Sequence, residues 1–342
     1  MDSGLGAERP LTLSVLDQSP ISEGMTGGDA LRNSIDLARL CEELGYERYW
    51  IAEHHATPML ASPSPEALIG PIAAATSRIR VGSGGVMLPH YSPLKVAETF
   101  SMLAGLFPHR IDLGIGRAPG SDQRTAFALQ RDRRERAPDD FFEQLTEMLG
   151  YLYRSLPADH PFARVAVLPG EPECPEPWLL GSSPQSAIWA GELGLPYVFA
   201  DFINSDGAPI AALYRERFRP SEQLAAPRVI VASWALCAES DEEAARLASS
   251  SRMAMTLLRA GRLIPVPPVD KALAFLEAQE RIMGALPQHR RMTVGTPDDV
   301  RAGLETVAAE YGANEVMIVT ITHEHTARRR SYELIAQAFG RA

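Results

Sequence analysis

The chain has 342 residues, 45% of them hydrophobic, which is enough to bury the core of one large α/β barrel or of two medium-sized domains. Its formal net charge of −10 at pH 7 argues against nucleic acid or an anionic membrane as a partner, since either would need a basic face. Three widely separated cysteines without CxxC spacing predict neither a disulfide framework nor a zinc site. No apolar stretch of about 18 residues occurs, so we expect a soluble, unexported, cytoplasmic protein.

Short β-prone segments alternate along the chain with segments of helical periodicity. Apolar residues at helical spacing over residues 31–41, for example, predict a first helix with Asp29 as its N-cap and Gly45 at its end. The predicted strands are residues 11–16, 49–55, 79–88, 110–117, 178–180, 196–200, 228–234 and 315–321. Eight such alternations favour a single (β/α)₈ TIM barrel domain spanning 1–342 over a doubly wound sheet.

Two segments break the regular spacing. Residues 118–139 are predicted to form a long polar loop. Residues 261–292 hold several prolines and a short helical stretch, which is too much for a simple connector. We therefore expect a mobile excursion over the barrel mouth before the last strand.

The second predicted strand is apolar until its end, where Glu53, His54 and His55 follow one another. In a (β/α)₈ barrel the carboxyl ends of the strands carry the chemistry, so an active site should begin here. Adjacent residues of a strand point to opposite faces, so the two imidazoles cannot reach the same ligand. We expect one histidine to serve the site and the other to be packed or bonded to a loop.

Glycine recurs at positions 82, 84 and 85, inside the third predicted strand. Glycine weakens a strand, so the cluster indicates close approach of a ligand or a strained backbone, and the alternative is a β-bulge. The spacing does not match the GxGxxG dinucleotide fingerprint, and no strand-to-helix turn lies there.

A possible anion site lies where the fifth strand meets a helix, at Gly181, Ser182 and Ser183. Backbone N–H groups at the helix start, together with the two hydroxyl groups, can hold a phosphate. Arg117, at the end of the fourth strand, can add a cation. The competing interpretation is an ordinary N-cap serine.

The chain resembles the bacterial luciferase-like flavin monooxygenases over nearly its whole length. The motifs that carry the resemblance are residues 49–55, 84–89 and 112–117, in the family's order and spacing. The resemblance implies FMN with its phosphate on Arg117, Ser182, Ser183 and Ser186. Gly116 stands where bacterial luciferase has a reactive cysteine, so no thiol role is implied.

The same resemblance places the flavin ring over Gly84 and Gly85, whose peptide bond is expected to be a non-proline cis bond. It also places Glu53 near the flavin and makes His54 the catalytic residue. The implied reaction is that of reduced FMN with O₂, which gives a C4a-peroxyflavin that oxygenates a small organic substrate. An imidazole pKa near its ordinary ~6.5 would give His54 access to both protonation states at neutral pH.

Several alternatives stay open at this point. An F420- or NAD(P)H-linked oxidoreductase and a non-catalytic flavin-binding subunit would use the same barrel. A metal-dependent hydrolase is a further alternative, because His323 and His325 alternate at the end of the last strand. No nicotinamide motif is visible, which favours a separate flavin reductase as partner, and the resemblance suggests a homodimer formed through helices near strands two and three. Neither the substrate nor light emission follows from the motifs.

Overall fold

A computed structural model describes residues 11–117, 122–136, 138–165, 173–283 and 291–341. The strands are β1 (Thr12–Asp17), β2 (Arg48–Ile51), β3 (Arg80–Met87), β4 (Ile111–Gly116), β5 (Glu176–Gly181), β6 (Tyr197–Ala200), β7 (Val229–Cys237), β8 (Met292–Gly295) and β9 (Glu315–Val319). The helices are α1 (Gly27–Glu43), α2 (Pro65–Ala75), α3 (Pro93–Leu106), α4 (Gln123–Leu129), α5 (Phe141–Tyr153), α6 (Pro184–Glu192), α7 (Ala208–Arg217), α8 (Asp241–Arg259), α9 (Val269–Met283), α10 (Pro297–Tyr311) and α11 (His325–Ala338).

The strand pairing confirms the predicted (β/α)₈ barrel. Each strand from β1 to β6 pairs with the next in parallel, β6 pairs with β7, and β9 pairs with both β7 and β1, so eight strands close a ring. The remaining strand, β8, pairs with the last residues of β7 and lies outside this ring of eight strands. The sequence patterns did not predict β8. The strand has four residues, which are too few to show a recognisable periodicity.

Three local details differ from the sequence predictions. Thr26 is the N-cap of α1, and Asp29 is instead the third helical residue of a capping box, with its carboxylate accepting from the Thr26 backbone N–H. The predicted loop over 118–139 contains the short helix α4, which Asp122 caps by accepting from Arg124 and Thr125 N–H. The helix α7, between β6 and β7, was not predicted.

Two apolar clusters divide the strand residues between the two faces of the barrel wall. Val15, Tyr49 and Ile51 belong to the cluster that also holds the buried faces of the surrounding helices. Leu16 and Trp50, which are neighbours in register, belong to a second cluster built mainly from strand residues. Since side chains alternate along a strand, the second cluster fills the barrel interior.

The amino-terminal end of the barrel is closed by a buried ion network centred on Arg48 and Asp112. Arg48 Nη1 lies 2.6 Å from Asp112 Oδ2, and Arg48 Nε lies 3.0 Å from Glu315 Oε1. Trp50 Nε1 donates to Asp112 at 2.8 Å, and Arg80 also pairs with this carboxylate. Burial opposes ionisation of Asp112, but the charges of Arg48 and Arg80 outweigh it and lower the pKa. The network lies at the end of the barrel that serves stability rather than chemistry.

The beginning of the predicted excursion lies against the carboxyl end of the barrel. Val266 forms a β-bridge with Ser22, in the loop after β1, and its side chain is buried in the barrel-interior cluster. The helix α9 then packs on α8. Residues 284–290 of the excursion lie outside the described residues, and both its mobility and the single-domain assignment stay predictions. None of the helices in the described ranges is both long and hydrophobic enough to cross a bilayer.

Replacing Arg48 with alanine should lower the free energy of unfolding by about 3–5 kcal/mol, because Asp112 and Glu315 would stay buried without their shared cation. The control is Arg281→Ala, since Arg281 is 78% exposed and pairs with Glu277 on the surface of α9. That change should cost less than about 1 kcal/mol. Urea denaturation at pH 7 measures both. Equal stabilities for the two variants would contradict a stabilising role for the network.

Candidate functional site

The carboxylate of Glu53 faces the helix layer and has only protein partners in the structure. It is 0% exposed. Its Oε2 accepts from the Met87 backbone N–H at 2.9 Å, and its Oε1 accepts from the Tyr91 hydroxyl at 3.1 Å. His55 Nε2 lies 2.7 Å from the same Oε1. Glu53 therefore ties the end of β2 to the end of β3, and a direct contact with a cofactor, as the resemblance implied, stays a prediction.

His54 follows Glu53 and points to the other side of the chain. Its backbone N–H donates to the Ser62 carbonyl at 2.9 Å, which holds the loop after β2. Its Nδ1 is buried and has no hydrogen-bond partner in the described part of the chain. Burial, reinforced by the neighbouring His55, lowers the pKa of His54 to about 4. The imidazole is therefore neutral at pH 7, which corrects the expectation that both protonation states are accessible there.

His55 has the supporting role that strand geometry predicted for one of the two histidines. Besides its contact with Glu53, its ring packs edge to face against His90, with ring centroids 5.6 Å apart. The alternation of side chains thus leaves His54 as the histidine with an unsatisfied buried nitrogen.

The glycines of β3 allow three strands of the barrel to approach one another closely. The Gly84–Gly85 peptide bond is cis, as the resemblance implied, and the register with β4 shifts between Ser83 and Val86. A Cβ on Gly85 would lie 2.8 Å from the Gly114 carbonyl oxygen, and one on Gly84 would lie 2.4 Å from Leu16 Cδ1. The bulge and the close approach occur together. Gly84 is partly exposed, so it presents backbone without a side chain at this point.

The predicted anion cradle is organised by the start of α6. Ser183 is the N-cap and is exposed, and its Oγ accepts from the Ser186 N–H at 3.4 Å. Ser186 is buried, and its hydroxyl donates to the Ser183 carbonyl at 2.8 Å. Ser182 is partly exposed, and its carbonyl accepts from Asn204 Nδ2 at 3.4 Å. The N-cap interpretation is therefore correct for Ser183, and it leaves the helix start open to an anion.

Arg117 lies next to α6, as an anion site would require. Its guanidinium stands 5.9 Å from the ring of Trp189, which lies one helical turn after Ser186. The side chain is 50% exposed, and Asp139 Oδ2 is 4.0 Å from its Nη1. The fold therefore brings the end of β4 and the start of α6 together, and it adds an aromatic surface that sequence patterns did not identify.

The two histidines of the metal alternative do not converge. His323 lies 3.2 Å from the Glu23 carbonyl through Nε2 and 2.9 Å from Glu324 through Nδ1. His325 Nε2 instead contacts the Asp36 carboxylate at 2.8 Å. Within the described ranges, no group of three or more potential ligands lies together. A metal-dependent hydrolase has no structural support among these residues.

Two other carboxylates at strand ends belong to buried ion pairs. Asp17 accepts from Arg328 Nη2 at 2.7 Å and from the Tyr49 hydroxyl at 2.6 Å, which joins β1 to α11. Asp201 accepts from Arg291 at 2.7 Å and anchors the segment before β8. Their oxygens serve the fold rather than the barrel mouth.

The fold and these motifs define a class of protein: the chain belongs to the luciferase-like monooxygenase family, whose model matches residues 11–315. It is 40% identical to a luciferase-like monooxygenase of Escherichia coli (strain K12), with 96% of each chain covered. It is 36% identical to N-acetyl-S-alkylcysteine monooxygenase of Bacillus subtilis (strain 168), with 96% of this chain and 98% of that protein covered. The protein is thus an oxidoreductase of this family.

Solved structures extend the comparison. The structure of apo-MsnO8 has a TM-score of 0.89 and 42% identity, and the match covers 97% of this chain and 99% of that chain. The oxygenating constituent of 3,6-diketocamphane monooxygenase of Pseudomonas putida, in complex with FMN, has a TM-score of 0.72 at 19% identity, covering 96% and 97%. An F420-dependent secondary alcohol dehydrogenase has a TM-score of 0.65 at 13% identity, covering 97% and 99%. The last two show a shared fold alone.

The low pKa of His54 predicts a specific loss of stability in acid. Between pH 6.5 and about 4 the unfolded chain takes up a proton that the folded chain does not, so stability falls as the pH falls. At about 1.4 kcal/mol per pKa unit, the loss reaches roughly 3 kcal/mol near pH 4, and His54→Asn should remove it. Urea denaturation from pH 7 to pH 4.5 measures this, with the exposed His109→Asn as control. Parallel profiles for wild type and His54→Asn would contradict the assignment.

Proposed function

We propose that the protein is an FMN-dependent monooxygenase, which uses reduced flavin and O₂ to oxygenate a small organic substrate at the carboxyl end of the barrel. The observation that carries this proposal is the unsatisfied Nδ1 of a neutral His54, which follows β2, together with the partly exposed backbone of Gly84 on the neighbouring strand β3. A buried polar atom without a partner calls for an explanation, and a molecule bound at the carboxyl end of the barrel would supply the partner of this one. Membership of the luciferase-like monooxygenase family supports the same reaction class.

The residues present fit FMN. Its phosphate matches the start of α6, where Ser182, Ser183 and backbone N–H groups favour an anion, and Arg117 adds positive charge. A flat ring needs accessible backbone in the barrel wall, and the partly exposed Gly84 supplies it. Binding of FMN to a fold neighbour with 19% identity supports the cofactor but does not establish it here.

In the proposed mechanism, reduced flavin supplies the electrons that activate O₂. The chain contributes position, a proton acceptor and exclusion of water. The neutral His54 is able to accept a hydrogen bond or a proton at one ring nitrogen near the reacting oxygen. Glu53 fixes the Met87 amide and thereby the strand that carries Gly84. Val266 packs into the upper barrel interior, so the start of the excursion shields the mouth from water.

An F420- or NAD(P)H-linked oxidoreductase that uses no oxygen is the second candidate. The fold likeness to an F420-dependent dehydrogenase favours keeping it. A non-catalytic flavin-binding subunit fits less well, because such a subunit would not need an unsatisfied imidazole beside the ring site.

The test is to supply the protein with reduced FMN and O₂ together with a panel of aromatic and aliphatic candidates. We expect oxygen uptake coupled to an oxygenated product, with little release of H₂O₂. His54→Ala should still bind FMN but form product at least about 100-fold more slowly, with His109→Ala as control. Unchanged product formation would remove His54 from the mechanism. Reduction by F420 or NAD(P)H without oxygen uptake would favour the second candidate.

We also propose that a separate reductase delivers the reduced flavin, because the sequence carries no nicotinamide fingerprint. Efficient NAD(P)H oxidation by the purified protein with FMN alone would contradict this.

We further propose a homodimer formed through α2 and α3. Apolar residues are exposed on both helices, beside the Lys95–Glu98 ion pair of α3: Pro71 and Ala74 are exposed on α2, and Met102 and Leu106 are 53% and 67% exposed on α3. Leu106→Glu should therefore convert a dimer to a monomer in light scattering, because it places a charge in an apolar interface. Leu263→Glu, at another exposed apolar residue, is the control. A wild-type monomer, or a dimer that survives Leu106→Glu unchanged, would rule out this interface.

A further inference from the structure

Tyr197 is a buried tyrosine directly behind the anion cradle. It lies on β6, is 0% exposed, and places its hydroxyl 2.9 Å from Ser186 Oγ. Its ring is stacked on that of Tyr214, with centroids 5.3 Å apart, and packs at an angle against Phe199. The direction of the phenol is therefore set by packing against Tyr214 of α7 and Phe199 of β6.

The direction of the Tyr197 hydrogen bond follows from counting protons. Ser186 has one hydroxyl proton, and it donates that proton to the Ser183 carbonyl at 2.8 Å. Tyr197 must therefore be the donor in its contact with Ser186. Burial raises the pKa of Tyr197, so the phenol keeps its proton at neutral pH. Two consecutive hydrogen bonds therefore run from the Tyr197 hydroxyl through Ser186 Oγ to the carbonyl of Ser183, the exposed N-cap of α6, and each bond polarises the next.

Gly181 shows how tightly this arrangement is built. A Cβ at position 181 would lie 2.1 Å from Ser186 Oγ and 3.5 Å from the Tyr197 hydroxyl oxygen. The absence of a side chain at the end of β5 thus provides the space that the Ser186 hydroxyl occupies. The anion contact predicted for Gly181 is therefore not needed to explain this glycine, and it stays a prediction.

We propose that Tyr197 is a positioning residue for the flavin phosphate: its hydroxyl donates to Ser186 Oγ and keeps the Ser186 proton directed at the start of α6. When the phosphate binds, the Ser186 proton turns from the Ser183 carbonyl to a phosphate oxygen, while Tyr197 continues to donate. The inference rests on the proposed FMN function. It predicts that Tyr197 affects affinity for a flavin that has a phosphate and not for one that lacks it.

The test compares FMN with riboflavin, which has the same ring system without the phosphate. Oxidised flavins are titrated into the apoprotein, and flavin fluorescence gives the two Kd values. Tyr197→Phe should raise the Kd for FMN by about fivefold to tenfold and leave that for riboflavin unchanged, because one hydrogen bond in the phosphate cradle is lost. Tyr214→Phe is the matched control. It removes a buried phenol that donates to the Leu195 carbonyl and stacks on Tyr197, whereas the hydroxyl bonded to Ser186 is that of Tyr197.

A double-mutant cycle separates positioning from general damage. Ser186→Ala should raise the Kd for FMN by at least as much as Tyr197→Phe, and adding Tyr197→Phe to it should cause no further change, since the two side chains act through one proton. Thermal unfolding of each variant reports on the fold.

The outcomes of the wild type and the variants have different meanings. A wild type that does not prefer FMN to riboflavin would overturn both the proposed phosphate site and this inference. If the wild type prefers FMN, three results would overturn the inference alone: an unchanged preference in Tyr197→Phe, an equal loss for both flavins, or an additive loss in the double variant.

Discussion

The side of the chain on which each side chain lies after the end of β2 is the constraint on which the arrangement of this site depends. Glu53 and His55 lie on one side, and His54 between them takes no part in their contact. Glu53 and His55 bond to each other, and the carboxylate is further held by the Met87 amide and the Tyr91 hydroxyl. His54, on the opposite side, has no such partner for Nδ1 in the described part of the chain, and burial keeps it neutral. One run of residues therefore supplies both a hydrogen-bonded pair and an imidazole with an unsatisfied nitrogen.

The two ends of the barrel handle charge in different ways. The amino-terminal end buries an ion network of Arg48, Asp112 and Glu315. The free-energy cost of removing these charges from water is offset by the ion pairs that Arg48 forms with both carboxylates. At the carboxyl end, Asp17 forms an ion pair with Arg328 and Asp201 forms one with Arg291, and both arginines lie outside the barrel wall. The carboxyl end keeps the neutral imidazole of His54, which fits the flavin site that we propose there.

The anion cradle depends on contacts between elements that are distant in the sequence. Arg117 comes from the end of β4, Ser183 and Ser186 from α6, and Tyr197 from β6. The start of a helix attracts an anion through its free N–H groups. Here the guanidinium of Arg117 lies near Trp189 of the same helix, and we propose that Tyr197 directs the Ser186 hydroxyl proton toward the helix start. These contacts make the cradle more specific than a helix start alone.

The sequence by itself determined the barrel, the position of its eight strands, and the motifs that end them, because hydrophobic periodicity and the order of strand-end residues are local properties of the chain. It also identified the glycine run of β3, although it could not choose between a bulge and close approach, which the structure shows to occur together. Only the tertiary structure decided which of the two histidines has a hydrogen-bond partner, how far the pKa of His54 falls, and that the Tyr197 hydroxyl contacts Ser186. Those properties depend on burial and on contacts between separate elements, and neither is encoded in the spacing of residues along one strand or one helix.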